Sequence, residues 1–464
     1  MQVTNFECVN KFFIQDLNFE KDIGANSILL EVGPFKFVID AGMDPKQLGN
    51  KALPNFDILD PNSIDFIALT HCHLDHLGGL PILAKKQPQA QVLVSYPTSL
   101  LAPLMLENSY SVMCRQKDEK SIPEYPLFTK EDVFALQKRF FALKFGKSYC
   151  IEKDGHQARL TFFAAGHVLG ASSLLIDYKG RQIFITGDIL FSDQNSLKGA
   201  QSPQLAPLDV LVLETTRGST ERTALRRAEE ERLIKTISKT IKRGGICLIP
   251  AFALGRIQEL LVLLYNARKE NKYPECPIYC SGLGMALVST FDAIGKTTSA
   301  VNFSRQILKK LNIKQLRQKK FDPKTTKLKG PAIYLLSSGM LVEHTPAYKI
   351  ASCLLKDNKN SICFVGYCDP STPGGQLLQT QPNEVFKFEA FDYSIPVRSK
   401  IEKFDLSGHA DREDLYQFVL AQEPKKLVLT HGDEDARQWF IQKFEEHTKS
   451  FDVLNPNVGQ RYEV

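Results

Sequence analysis

The stretch that decides the fold is Leu-Thr-His-Cys-His-Leu-Asp-His-Leu-Gly-Gly, residues 69–79. It places four side chains of metal-binding type within six residues: His71, His73, Asp75 and His76. A mostly apolar run of strand length precedes it, and in an extended segment His71 and His73 point the same way. If a helix starts near Asp75, then Asp75 and His76 project from its first turn toward a second ion. Three of the nine histidines fall here, so a histidine-rich surface loop is the weaker interpretation.

Further metal-binding side chains follow strand-like segments elsewhere in the chain. His167, Asp188 and His431 each follow an apolar run that has small residues at or near its end. One such residue alone is more often a capping residue, but three beside the histidine loop favour a metal centre. Imidazole nitrogen and carboxylate oxygen suit zinc, with manganese or iron as poorer choices. Asp40, which ends another strand, is predicted to support the histidine loop from behind.

The composition predicts a globular protein of two or three domains. A chain of 464 residues is too long for one ordinary core, and 43% hydrophobic residues is a normal share. No apolar run of about 18 residues predicts a membrane span, and the N-terminus does not resemble a signal peptide. Ten scattered cysteines, of which Cys247, Cys280 and Cys363 lie in or beside apolar runs, indicate buried thiols and a cytoplasmic location.

The net charge of +6 is unevenly distributed, with an excess of basic residues between 305 and 329. Only Asp322 opposes them there. Such a run is often a solvated helix face, and the alternative is a phosphate-binding patch whose affinity falls with salt. The basic residues are Arg305, Lys309, Lys310, Lys314, Arg317, Lys319, Lys320, Lys324, Lys327 and Lys329.

The pattern of predicted elements changes twice along the chain. Up to about residue 215, short strands and turns alternate with few long helices. From residue 216 to 395, strands alternate with helices, which indicates a parallel sheet covered by helices. The first of these helices is predicted at 221–242, with Ser219 and Thr220 as candidate caps. Short strands return after 396, so the α/β region is predicted to be inserted into the first domain.

These motifs resemble the metallo-β-lactamase superfamily, and more narrowly its β-CASP group of RNA-processing nucleases. That group includes the mRNA 3′-end cleavage endonuclease and its bacterial and archaeal homologues. The resemblance implies an α/β fold: an αββα sandwich at residues 1–215 and 396–464, with an inserted Rossmann-like β-CASP domain at 216–395. The matching residues are Asp40, the motif from His71 to His76, His167, Asp188, Glu214 as the acidic motif, His409 in Leu-Ser-Gly-His-Ala-Asp, and His431 as the last motif.

The resemblance implies two Zn²⁺ per chain. One ion would be held by His71, His73 and His167, and the other by Asp75, His76 and His431, with Asp188 bridging them. In this group, a histidine at the last motif is typical of members that act on RNA rather than DNA. The chain departs from the group at Arg217, where tyrosine is frequent, and at Gly408, where alanine is usual. Neither departure removes a ligand.

The residues predicted to be catalytic are Asp75, Glu214 and His409. Two bound ions lower the pKa of a water that they share, which supplies hydroxide as the nucleophile. His409 would protonate the departing ribose oxygen and Glu214 would orient it, the alternative being a buried structural contact. Phosphate contacts across a cleft are predicted for Arg256, or else an ordinary salt bridge, and for Ser337, Ser338 and Gly339.

The leading hypothesis is therefore a metal-dependent ribonuclease that hydrolyses single-stranded RNA during RNA processing or decay. It would leave 5′-phosphate and 3′-hydroxyl ends, cutting internally or from the 5′ end. The alternatives are a thioester or lactone hydrolase on the same fold, a DNA nuclease, and a scaffold without activity. No membrane partner is expected, and a homodimer is left open.

Overall fold

The computed structural model describes residues 11–316, 321–447 and 451–464, which form two compact units. The sandwich unit consists of the described residues up to 193, Gly199–Glu221 and those from His409 onward. The inserted unit consists of Gln194–Lys198 and the described part of Arg222–Gly408. The inserted unit thus continues past the predicted limit at 395, because a strand at 400–403 pairs with its sheet.

The sandwich unit contains two seven-stranded sheets with one apolar core between them. Side chains of both sheets meet there, among them Phe37 and Phe162. The first sheet has the order β22-β1-β2-β3-β4-β5-β6, with β1 (Phe12–Asp16), β2 (Ile28–Val32), β3 (Phe35–Ile39), β4 (Phe66–Leu69), β5 (Gln91–Ser95), β6 (Phe140–Leu143) and β22 (Arg461–Glu463). The second has the order β21-β20-β11-β10-β9-β8-β7, with β7 (Ser148–Lys153), β8 (His156–Ala164), β9 (Ser172–Tyr178), β10 (Arg181–Ile185), β11 (Val210–Glu214), β20 (Lys426–Thr430) and β21 (Asp452–Leu454).

Helices cover the outer faces of this sandwich. The first sheet carries α1 (Leu74–Leu77), α2 (Leu80–Lys86), α3 (Tyr96–Glu119) and α4 (Lys130–Gln137), and the second carries α12 (Arg412–Gln422) and α13 (Glu434–His447). In one outer layer α3 packs on β5. In the other, Phe418 of α12 packs against Phe184 of β10. The layers are therefore α, β, β and α, as predicted.

The 24-residue helix α3 was not expected from a region predicted to have few long helices. Its start signals are ordinary, since Ser95 accepts a hydrogen bond from the Thr98 amide and Pro97 lies in the first turn. Pro103 lies inside the helix, where it removes one backbone hydrogen bond. Pro103 therefore makes this helix difficult to recognise from the sequence.

The inserted unit is built on a six-stranded, wholly parallel sheet, as the repeated βα pattern predicts. Its order is β14-β13-β15-β12-β16-β19, with β12 (Ile246–Pro250), β13 (Ile278–Cys280), β14 (Ile313–Gln315), β15 (Ala332–Leu336), β16 (Ser361–Phe364) and β19 (Lys400–Lys403), beside a hairpin of β17 (Val385–Phe388) and β18 (Tyr393–Pro396). Its helices are α5 (Arg226–Lys242), α6 (Arg256–Lys269), α7 (Leu283–Ala286), α8 (Val288–Gly295), α9 (Gln306–Lys310), α10 (Pro346–Leu354) and α11 (Pro373–Gln379). Single 3-10 turns occupy Gly49–Ala52, Phe56–Ile58 and Glu389–Phe391.

The predicted start of the first helix in this unit was wrong. Helix α5 begins at Arg226 with Leu225 in the cap position, so Ser219 and Thr220 do not cap it. The amides of Gly218 and Thr220 bond to carbonyls three residues earlier, which makes this segment a series of turns. Hydroxyl residues serve turns as readily as helix caps, and the sequence did not distinguish the two uses.

The nine described cysteines are free thiols, and Cys247, Cys280 and Cys363 are buried, as predicted. Within the described ranges, no helix is both long and apolar enough to cross a bilayer. The described basic residues of the segment 305–329 are exposed, so the predicted phosphate-binding patch stays a prediction. Arg317, Lys319 and Lys320 lie outside the described residues.

Candidate metal centre

Strand ends of the sandwich unit bring all seven predicted ligands to one place. His71 and His73 follow β4, with an extended backbone at His73, and α1 then places Asp75 and His76 in a first helical turn, as the spacing predicted. The other three are His167 after β8, Asp188 after β10 and His431 after β20. The chain turns sharply ahead of His167, where Gly166 has φ +74° and a Cβ would lie 2.3 Å from the Leu190 carbonyl oxygen. Only glycine fits this position.

The ligands form two groups. In one, donor atoms of His71, His73, His167 and Asp188 all lie within 4.8 Å of one another, and in the other those of Asp75, His76 and His431 do so. Apart from Asp188, for which the family resemblance implied a bridging position, these are the two sets that it implied. The groups touch, because the ring centroids of His71 in the first group and His76 in the second are 4.1 Å apart.

Asp188 lies between the two groups with one carboxylate oxygen toward each. Its Oδ2 is 3.5 Å from His71 Nε2 and 3.6 Å from His167 Nε2. Its Oδ1 is 3.5 Å from His76 Nε2 and 3.3 Å from His431 Nδ1. A carboxylate in this position can bridge two cations.

The electrostatics of the cluster fit bound cations. Burial alone would raise the pKa of Asp188, but the surrounding histidines outweigh it and hold that pKa well below its usual value. Burial and neighbouring histidines lower the pKa of His71, whereas at His76 the carboxylates of Asp188, Asp40 and Asp75 outweigh burial and raise the pKa. Within the described residues, His71 Nε2 and Asp188 Oδ1 are buried without a hydrogen-bond partner, which is costly unless an ion coordinates them. The donor set therefore fits divalent metal.

Asp40 supports this cluster from behind, in the position predicted for it. It is fully buried, and its Oδ2 lies 2.7 Å from His76 Nδ1. Oδ1 accepts a hydrogen bond from the Thr70 amide, and Oδ2 accepts one from the Thr70 hydroxyl, both at 2.7 Å. A carboxylate on the far nitrogen of a metal-binding histidine fixes its tautomer and its orientation.

We expect Asp40→Asn to weaken metal binding about 10- to 100-fold, as loss of such orienting partners usually does. The amide keeps the volume, but it is neutral and has only one oxygen to accept hydrogen bonds. The measurement is a metal titration of the purified variant. Asp209→Asn is the matched control, because Asp209 also accepts two hydrogen bonds in the sandwich unit, from Gln182 and Lys425, away from the ligands. Equal affinity in the two variants would contradict the prediction.

Glu214 and His409 form a direct pair, although they are 195 positions apart. His409 Nδ1 lies 3.1 Å and 3.0 Å from the two oxygens of Glu214, whose Oε1 also accepts the Ile189 amide hydrogen at 2.7 Å. His409 Nε2 is 3.9 Å from Asp188 Oδ2. Burial would lower the pKa of His409, but Glu214 and Asp188 outweigh it and raise that pKa. The imidazole can therefore carry a proton beside the cluster.

Three supporting side chains were missed in the sequence. Thr70 and Asn26 both donate hydrogen bonds to Asp40, and the Thr216 hydroxyl lies 3.0 Å from His431 Nδ1. Thr70 and Thr216 stand beside recognised motif residues, which was a usable signal. Nothing in its sequence spacing singles out Asn26, which is brought to the site by backbone hydrogen bonds with Asp75 and Gly42.

The structure gives Arg256 a structural role and does not support the predicted phosphate contact. Its side chain is 7% exposed, and its guanidinium donates to the Leu406 carbonyl at 2.7 Å and to Gln194 Oε1. Arg226 and Arg256 outweigh the effect of burial on Glu259 and lower the pKa of that carboxyl to about 2. The guanidinium is thus bonded to neutral oxygens beside the Arg226–Glu259 ion pair of the inserted unit, which favours a structural role.

We expect Arg256→Met to lower the free energy of unfolding by about 3–5 kcal/mol, because it removes one of the two buried cations that stabilise the Glu259 carboxylate. Chemical denaturation measures this change. Arg227→Met is the control, since Arg227 is 87% exposed and its pair with Glu231 should contribute less than about 1 kcal/mol. A variant with unchanged stability but weaker RNA binding would restore the phosphate-contact hypothesis.

The other predicted phosphate contacts lie after β15 in the inserted unit. Ser338 Oγ accepts a hydrogen bond from the Val342 amide at 3.0 Å, and Gly339 lies close to Phe252. Ser337 is partly exposed at the end of its strand. Their role in binding substrate stays a prediction.

The two-sheet sandwich and the His/Asp cluster at its strand ends define a metallohydrolase fold. Three family models match: the metallo-β-lactamase superfamily at residues 21–132, the Beta-Casp domain at 257–377, and the Zn-dependent metallo-hydrolase RNA specificity domain at 394–456. The chain is therefore similar to the metallo-β-lactamase superfamily and, within it, to the β-CASP group.

Relatives match over most of the chain. Cleavage and polyadenylation specificity factor 73 of Drosophila melanogaster is 28% identical over 91% of this chain, which spans only 60% of that relative. An RNase J-like protein of Methanocaldococcus jannaschii is 27% identical over 89% of this chain and 90% of its own length. A solved structure of a protein of unknown function from Enterococcus faecalis matches 98% of this chain and 100% of the Enterococcus chain. Its TM-score is 0.54 and its sequence identity is 14%, so it supports the fold alone.

Proposed function

We propose that the protein is a zinc-dependent ribonuclease that hydrolyses phosphodiester bonds of single-stranded RNA. The observation that carries this proposal is Asp188, with one oxygen toward each ligand group, beside a histidine that is paired with a carboxylate. The name of the Methanocaldococcus relative and the description of the model that matches residues 394–456 both point to RNA. That matched segment contains His409 and His431.

The residues have separate roles in phosphodiester hydrolysis. One ion would be held by His71, His73 and His167, and a second by Asp75, His76 and His431, with Asp188 shared between them. Divalent ions bound there would lower the pKa of water and offset the negative charge that builds on the phosphate. Ester hydrolysis in small molecules needs no additional proton donor of this kind, so the Glu214–His409 pair favours a phosphodiester substrate.

His409 supplies the proton for the leaving group in this proposal. Its Nδ1 is held by Glu214, and its Nε2, which would carry the proton, lies 3.9 Å from Asp188 Oδ2. Transfer of that proton to the departing 3′ oxygen yields a 3′-hydroxyl on one product and a 5′-phosphate on the other. Glu214 orients the imidazole and stabilises its protonated form.

The test is cleavage of a single-stranded RNA carrying a 5′ label or a 3′ label, with and without a chelator. We expect cleavage that the chelator stops and that added Zn²⁺ restores. Mononucleotides from one end indicate trimming, and discrete internal fragments indicate an endonuclease. A DNA strand of the same sequence and a thioester substrate are assayed in parallel. Turnover of the thioester or the DNA without cleavage of RNA would overturn the proposal.

We further propose that the protein acts in a reducing compartment such as the cytoplasm. All nine described cysteines are thiols, and six of them are buried, which suits a reducing environment. Fractionation of cells that express the protein, followed by immunoblotting, tests this assignment. Recovery from an oxidising compartment would contradict it.

A further inference from the structure

Arg437, in the first half of α13, is a fully buried arginine that neither the metal centre nor the Glu214–His409 pair uses. Its Nε donates to the Gly432 carbonyl at 2.8 Å. Its Nη1 donates to the Leu429 carbonyl and to Asn455 Oδ1, each at 3.3 Å. The guanidinium thus spans two backbone carbonyls of a single turn.

That turn carries His431. Leu429 lies in β20 and Gly432 directly follows the histidine, so the two carbonyls lie on either side of it. His431 has φ +47°, a left-handed conformation that residues other than glycine rarely adopt. Gly432 has no room for a side chain, because a Cβ there would lie 2.2 Å from Thr215 Oγ1. The turn is tight, and its conformation needs support from its surroundings.

Hydrogen bonds from the end of β11 hold part of this turn. The Thr215 amide donates to the His431 carbonyl at 3.2 Å, and the Thr215 hydroxyl donates to the Thr430 carbonyl at 2.9 Å. The Thr216 hydroxyl donates to the His431 carbonyl at 3.2 Å. None of these bonds reaches the carbonyls of Leu429 and Gly432, which are the ones that Arg437 holds.

Packing alone does not explain an arginine at this position. A buried cation costs free energy, and an apolar side chain of similar volume is often at least as stabilising. The nearby Asp16, itself 3% exposed, offsets part of that cost electrostatically. What an apolar residue cannot supply is a planar fork of donors for two carbonyls.

We propose that Arg437 is a positioning residue for His431. By fixing the turn at residues 429–432, it keeps the imidazole beside its partners, 3.1 Å from His76 Nε2 and 3.6 Å from Asp75 Oδ2. Arg437 would thereby set the affinity of one metal position and leave the other largely unchanged. This inference rests on the proposed function, which makes His431 a ligand.

The experiment is a titration of the metal-free protein with Co²⁺, followed by the visible absorption of the bound ion, and with Zn²⁺ by competition. We expect Arg437→Met to weaken one of two metal equivalents about 10- to 100-fold, as loss of a ligand's supporting partner does. Arg437→Lys should weaken it less, because one ammonium group keeps the charge but cannot hold both carbonyls as the fork does. The lysine variant also serves if the methionine variant does not fold.

Arg139→Met is the matched control. Arg139 also donates to backbone carbonyls of the sandwich unit, those of Ala84, Gln87 and Ala90, but it holds no ligand. We expect this variant to keep both metal equivalents at parental affinity. Equal weakening in the Arg139 and Arg437 variants would reduce Arg437 to a general stabilising residue and overturn the inference.

His431→Ala separates this inference from the proposal on which it rests. If His431→Ala loses one metal equivalent while folded Arg437 variants keep both at parental affinity, only the inference on Arg437 fails. If His431→Ala itself binds two ions as tightly as the parent, the assignment of His431 as a ligand fails, and the inference fails with it.

Discussion

Asp188→Asn is expected to slow RNA cleavage by about 1,000-fold or more and to lower the metal content of the protein. Asp188 directs one carboxylate oxygen toward each of the two ligand groups. Asparagine offers one oxygen, no charge, and an amide nitrogen that repels cations. Metal ions contribute several kcal/mol of transition-state stabilisation in such sites, and about 1.4 kcal/mol corresponds to tenfold in rate.

Two measurements check this expectation. Metal analysis of the variant gives the number of ions per chain, and single-turnover cleavage of labelled RNA gives the rate. Asp177→Asn is the control, because Asp177 forms an ion pair with Arg159 on the same sheet, away from the cluster. A variant with full metal content and near-parental cleavage would show that Asp188 is not a shared ligand.

His409→Ala is expected to slow cleavage about 100- to 10,000-fold, the usual contribution of a positioned proton donor. Unlike Asp188→Asn, it should leave the number of bound ions unchanged. The defect should shrink on an RNA in which sulfur replaces the bridging 3′ oxygen at the cleavage site, because a thiolate leaves without being protonated. The measurement compares rates of parent and variant on the oxygen and the sulfur substrate.

Glu214→Gln tests the other half of the pair. The amide keeps a hydrogen bond to His409 but removes the charge that favours the protonated imidazole. Its cleavage defect should be smaller than that of His409→Ala and should shrink on the sulfur substrate in the same way. His156→Ala, which removes a histidine bonded to Tyr178 elsewhere in the sandwich unit, is the control for loss of an imidazole. If the His409 defect is equal on both substrates, proton donation is excluded as its role.

Local spacing made much of the metal centre predictable. The segment from His71 to His76 is an extended stretch followed by a helical turn, so its side-chain directions follow from backbone geometry alone. The βα repeats likewise indicated the parallel sheet of the inserted unit. Both predictions depend on neighbours within a few residues, where the sequence is most informative.

Predictions that depended on distant partners were less reliable. Arg256 has the right chemistry to bind a phosphate, but its hydrogen-bond partners Leu406 and Gln194 are far away in the sequence. The strand 400–403, beyond the predicted limit at 395, joins the inserted sheet by pairing with β16. In both cases a nonlocal contact decided the outcome.

The sequence by itself determined which side chains can bind metal and that strand ends deliver them, because ligand chemistry and backbone periodicity are local properties. Only the tertiary structure decided that Asp188 lies between the two ligand groups, that Glu214 meets His409, and that Arg437 holds the turn at His431. The physical reason is the strand order of the second sheet: β20 pairs in parallel with β11, which brings residues more than 200 positions apart to one edge.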